Sequence, residues 1–114
     1  MDAQCIFCRI ASGEIASKEL YRDDDVVAIE DVNPQAPVHL LVMPVVHRRN
    51  VAELADESDS LTAKLFSVAS NLGRERSAGN GFRLVVNTGE HGGQTVDHVH
   101  VHVLAGRPMH WPPG

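Results

Sequence analysis

His98-Val99-His100-Val101-His102-Val103-Leu104 alternates imidazole with valine from His98 to Val103 and then ends on leucine. Side chains of a β-strand change face at every residue, so a strand here sends His98, His100 and His102 to one side and the valines to the other. A helix would scatter the same histidines by ~200° per pair. Valine is a β-branched strand former and suits a buried face. A cloning tag would be terminal and uninterrupted; this run is internal and strictly alternating. Imidazoles titrate near neutrality and serve as nucleophile, acid, base or metal ligand, so the strand reads as a site.

The loop Gly89-Glu90-His91-Gly92-Gly93-Gln94-Thr95 leads into that strand. Glycines let backbone N–H groups approach an anion and Thr95 adds a hydroxyl, the makings of a phosphate cradle, although most such loops are only turns. Asn87 closes the preceding strand-like run, Phe82 to Asn87, within reach of the same ligand. Further back, Leu61, Leu65, Val68, Ala69 and Leu72 recur with helical spacing and predict one long amphipathic helix from about Asp59 to Ser77. Ser58 or Asp56 would cap its start, and Gly79-Asn80-Gly81 would end it.

The first half holds shorter elements. Cys5 to Gly13 reads as a helical turn, with Ile6 and Ile10 four apart. Glu19 to Arg22 and Val26 to Glu30 read as strands joined by an Asp23-Asp24-Asp25 turn. Two prolines keep Asn33 to Pro37 irregular, and Val38 to Pro44 reads as a central strand. These connections predict one α+β domain over residues 1–114, with a five-stranded antiparallel sheet, one long helix and one short one. Helices would cover one face of the sheet and leave the other for the site.

Composition narrows the function. The 114 residues are 43 % hydrophobic and 22 % charged, within the range of globular proteins. A net charge of −5 argues against general affinity for nucleic acid or anionic lipid. No apolar run approaches the ~18 residues that span a membrane, and no signal-peptide pattern opens the chain, so a cytoplasmic protein is expected. Cys5 and Cys8 are then thiols or metal ligands. Their C-x₂-C spacing suits zinc, with His47 and His98 as candidates for the other two ligands. His39 is the lone polar residue of an apolar strand, either a satisfied core histidine or a fourth imidazole orienting one of the triad. Asp31 is either a solvated carboxylate or an acceptor for ribose hydroxyls.

His98 to Leu104 resembles the His-φ-His-φ-His-φ-φ signature of the histidine-triad (HIT) superfamily. The Asp31 to His39 segment, Gly92-Gly93-Gln94-Thr95 and the terminal His110-Trp111-Pro112-Pro113-Gly114 are similar to its Hint branch of nucleotide-binding phosphoramidases. That resemblance implies a homodimer whose two sheets join into one of ten strands. It implies purine nucleoside monophosphates or phosphoramidates as ligands. His100 matches the nucleophile and His39 the supporting histidine. His102, Asn87 and Thr95 match residues at the phosphate or leaving group, with Gly93 and Gln94 in the same loop. Asp31 matches the ribose carboxylate, and Ile6, Phe7, Ile10, Ile29 and Val32 the walls around the base. Trp111 would approach the partner subunit's site. Some relatives hold zinc in positions matching Cys5, Cys8, His47 and His98, which makes His98 a structural ligand. Two residues depart from the pattern: Thr95 replaces a frequent serine, keeping the hydroxyl, and Asp97 replaces a frequent aromatic.

The implied reaction is nucleotidyl transfer to His100 followed by hydrolysis, with no cofactor required for catalysis and zinc in a structural role. A dinucleoside polyphosphate hydrolase or phosphorylase would use the same triad, but the Trp-Pro-Pro-Gly ending favours the Hint branch. A sugar-1-phosphate nucleotidylyltransferase would be longer. A non-catalytic nucleotide sensor would keep the pocket without needing His100.

Overall fold

The structure, a computed structural model, describes residues 4–114. Its elements run α1 (Ile6–Ala11), β1 (Glu19–Arg22), β2 (Val26–Glu30), β3 (Val38–Pro44), α2 (Val51–Glu57), α3 (Asp59–Arg76), β4 (Phe82–Val85) and β5 (Val101–Ala105). The strands form one antiparallel sheet in the order β1-β2-β3-β5-β4. The first three strands have the bounds expected from sequence. Their turn chemistry explains why: Asp23 Oδ1 accepts from the backbone N–H of Asp25 and Val26, closing the β1–β2 hairpin. Lys64 of α3 then clasps Asp23 and Asp25, fastening the hairpin to the helix layer.

The histidine stretch is only partly strand. Pairing of β5 with β3 begins at Val101 opposite Val42, and continuing that register would set Val99 against Pro44. Proline has no N–H to donate, so the ladder gives out there. Val99 N–H turns instead to Arg48 O at 2.8 Å. His98 and His100 therefore precede the strand that carries His102. β4 likewise stops at Val85, opposite His102, two residues short of the expected Asn87. Val99, Val101 and Val103 still all enter the core under the helices, although His98 and His100 are buried as well.

The helix layer holds α2 as well as the expected α3. Asn50 Oδ1 caps α2 by accepting from Glu53 N–H at 2.9 Å, and Ser58 Oγ caps α3 by accepting from Leu61 N–H at 3.1 Å. Within its seven residues α2 buries only Leu54, too little to make a period legible. Leu54, Leu65, Val68, Ala69 and Leu72 pack on Val26, Ala28, Leu40, Val42 and the three valines. Each such fully buried Val or Leu contributes roughly 1.5–3 kcal/mol. On the opposite face α1 lays Phe7, Cys8 and Ile10 over Val27, Ile29, Leu41 and Met43. Because α1 covers only part of that face, a cavity opens beside it. Among the described residues, no helix is long and apolar enough to cross a membrane.

Candidate active site and metal centre

The cavity has a volume of about 460 Å³, and α1, β2, β3 and β5 build it. The residues expected to wall a base, Ile6, Phe7, Ile10, Ile29 and Val32, all line it. So do Asp31, Thr95, His100 and His102, which gather a carboxylate, a hydroxyl and two imidazoles at one apolar pocket. Leu41, Ile15, Ser17, Lys18 and Val96 also contribute and escaped the sequence reading. Leu41 was within reach of it, since residues two apart on β3 share a face and Leu41 follows His39.

His100 is 7 % exposed, and its Nδ1–H donates to His98 O at 2.8 Å. A carbonyl can only accept, so the ring's proton is on Nδ1 and its Nε2 keeps a lone pair. The Phe7 ring stands edge-on, 4.9 Å between centroids. Burial pushes the His100 pKa below the ordinary imidazole value of 6.5, outweighing its hydrogen bond to the His98 carbonyl and the Asp31 charge. His102 is pushed down to about 4, by burial first and then by His100 and His39. Both rings are neutral at pH 7.

His39 lies behind His102, outside the cavity lining. Its Nε2 is 2.9 Å from His102 Nδ1. Asp31 divides its carboxylate: Oδ1 accepts from Asn33 N–H at 2.8 Å, and Oδ2 is 3.4 Å from His39 Nε2.

Asn87, Gly93, Gln94 and Trp111 are not among the lining residues. Gln94 braces its own loop. Its Oε1 accepts from Gly89 N–H, and its Nε2 donates to Arg49 O and Val96 O. Gly92 is required there, because a Cβ would stand 2.2 Å from Thr88 O. Trp111 is 83 % exposed.

Cys5, Cys8, His47 and His98 converge, with their Sγ and Nδ1 atoms all within 4.8 Å of one another. Cys5 Sγ and Cys8 Sγ are each 3.4 Å from His98 Nδ1, and Cys8 Sγ is 3.2 Å from His47 Nδ1. A tetrahedral zinc with ordinary Zn–S and Zn–N bonds sets S···N edges of ~3.5 Å, close to these. His98 Nε2–H donates to Pro44 O at 2.9 Å, which fixes the proton there and aims the Nδ1 lone pair at the thiols. The donor set fits a metal ion.

A model of the HIT domain matches residues 12–109, a span that includes the histidine stretch and leaves Cys5 and Cys8 outside. An uncharacterised HIT-like protein of Synechocystis sp. and another of Synechococcus elongatus are each 41 % identical to the chain over 114 residues, the full length of both partners. A crystal structure of a HIT family hydrolase from Legionella pneumophila superposes with a TM-score of 0.91 at 40 % identity, covering 96 % of this chain and 99 % of that one. A histidine triad protein from Clostridium difficile gives 0.90 at 39 % identity, covering 96 % of each. Sequence and backbone fold thus agree along nearly the whole chain, which belongs to the HIT family.

Proposed function

We propose that the chain is a nucleotide-binding hydrolase of the Hint type, cleaving nucleoside 5′-phosphoramidates to the nucleoside monophosphate. The observation that carries this reading is His100, buried and neutral, with Nδ1–H bonded to a carbonyl and Nε2 left as a lone pair beside the cavity. In the first step Nε2 attacks the α-phosphorus, a P–N(imidazole) bond forms, and the bond to the leaving amine breaks. The amine departs with a proton from solvent. Water then attacks the phosphorus of the nucleotidyl-imidazole and gives up a proton to solvent, the new P–N bond breaks to return the Nε2 lone pair, and the monophosphate leaves. Thr95 and His102 donate to the phosphoryl oxygens as charge develops; losing one such donor typically costs ~10²–10³ in rate. The apolar walls supply stacking area for a purine, and Asp31 accepts from the ribose hydroxyls.

Two further assignments belong to the same reading. Cys5, Cys8, His47 and His98 would hold a zinc ion, whose contribution is to cross-link α1 to the residues before β5. The chain would dimerise by pairing exposed sheet edges, with Trp111 near the partner's site; sedimentation equilibrium measures this directly. The main test is release of AMP from adenosine 5′-phosphoramidate. His100→Ala should abolish turnover while AMP affinity stays within about tenfold, ~1.4 kcal/mol. Near wild-type turnover in that variant would refute the mechanism.

A further inference from the structure

The connection between β2 and β3 carries two prolines and no regular structure, yet its backbone reaches the site. Gln35 N–H donates to His39 Nδ1 at 3.0 Å. A backbone amide can only donate, so Nδ1 holds a lone pair and the one proton of a neutral His39 ring is on Nε2. That Nε2–H has His102 Nδ1 at 2.9 Å and Asp31 Oδ2 at 3.4 Å. Only the nearer group is at a normal hydrogen-bond distance, so His102 Nδ1 is the acceptor. The proton of neutral His102 is then on its own Nε2.

We infer that the Gln35 backbone amide, acting through His39, is the positioning group that presents His102 to the cavity as an Nε2–H donor. Arg107 braces this device from beyond β5, donating through Nη2 to Gln35 O at 3.1 Å. Burial disfavours the charged forms of both His39 and His102, which keeps each ring with a single proton to place.

The consequence is a division of labour between imidazoles two residues apart. His100 is fixed with its proton on Nδ1 and offers a lone pair. His102 is fixed the other way round and offers a donor. A neutral imidazole is too weak an acid to give up that proton, so His102 donates a hydrogen bond to the developing negative charge and remains neutral. The same tautomers bear on a second grouping, Asp31, His39 and His102, whose ligand-type atoms all lie within 4.8 Å of one another. A metal on His39 Nε2 would drive the proton to Nδ1, where it would face the Gln35 N–H. This trio is therefore a hydrogen-bond relay.

The tautomers are independent of the reaction; their effect on turnover rests on the phosphoramidase reading. Two-bond ¹H–¹⁵N correlation of the imidazoles in the full chain tests the first part. The expected spectrum has His39 and His102 protonated on Nε2 and His100 on Nδ1. His39→Leu should leave His102 as a mixture of tautomers and lower kcat by about 10–100-fold. AMP affinity should change by less than about threefold, and the fold, followed by circular dichroism, should persist. His39→Gln keeps an N–H donor at similar reach and should restore both the His102 tautomer and most of kcat. A wild-type His102 protonated on Nδ1 would overturn the inference, as would a His102 tautomer indifferent to His39→Leu. Absence of phosphoramidase turnover in the wild type would instead refute the functional reading, with the tautomers still measured.

Discussion

His100 and Asp31 show how one side chain's surroundings set its chemistry. Burial lowers the His100 pKa from 6.5, so its neutral form, the one the proposed attack requires, persists below that pH. The acid limb of kcat/KM should therefore lie below pH 6.5, with a flat profile from there to pH 7; a limb at or above 6.5 would contradict a buried neutral nucleophile. Asp31 offers one oxygen to Asn33 N–H and turns the other toward His39. Asp31→Asn keeps an acceptor for the turn but removes the charge. Ribonucleotides should then lose roughly 1–2 kcal/mol more affinity than their 2′,3′-dideoxy analogues, measured by titration calorimetry. Equal losses would mean that the carboxylate does not read the ribose. The chemical types of these residues were legible in the sequence. Which nitrogen of each ring carries the proton was not, because that depends on a carbonyl or amide brought up by folding.

At the scale of elements, the packing of α3 against β4 turns on one glycine. A Cβ on Gly73 would stand 2.5 Å from Phe82 Cδ2, so the helix rests directly on the aromatic ring. Alanine has the better helix propensity by ~1 kcal/mol, which alone predicts stabilisation. Overpacking costs typically ~1–3 kcal/mol and should win here, since the obstacle is a ring wedged between helix and strand. Gly73→Ala should lower the urea midpoint, and Phe82→Leu in the same chain should recover part of it. A stabilised single variant would show that the ring moves freely. The long helix was legible because its five apolar positions share a stripe. α2 was not, for it buries Leu54 alone; the Asn50 and Glu53 pair at its start was the one signal available.

Across the whole molecule, the Cys5, Cys8, His47 and His98 cluster joins segments far apart in the chain. Cys5 caps α1, Cys8 lies within it, His47 follows β3 and His98 precedes β5. A helix of six residues has little stability of its own, so α1 depends on the packing of Phe7 and Ile10, and a metal ion held by the cluster would add a cross-link. Metal analysis of protein prepared without a tag or chelator should find about one zinc per chain. Chelation or Cys5→Ser should lower Tm substantially, because metal-binding free energy is added to folding free energy. Turnover at low temperature should survive, since neither His100 nor His102 belongs to the cluster. Nucleotide affinity should weaken, since Ile6 and Phe7 ride on α1. A Tm indifferent to both zinc and Cys5→Ser would leave the cysteines as buried thiols.

The sequence by itself determined the α+β class, the bounds of the first three strands and the long helix, and it narrowed that helix's cap to Ser58 or Asp56. These depend on neighbours a few residues apart: apolar period, acidic turns and prolines. It also marked the imidazoles, the carboxylate and the cysteine pair as the residues of interest. Tertiary structure decided where β5 starts, because Pro44, more than fifty residues away, is what denies Val99 a ladder partner. It decided that Gln94 braces a loop and that His98 turns to the thiols while His102 faces the cavity. Each of these outcomes needs a donor or acceptor from a distant segment, and local spacing carries no record of which segment that is.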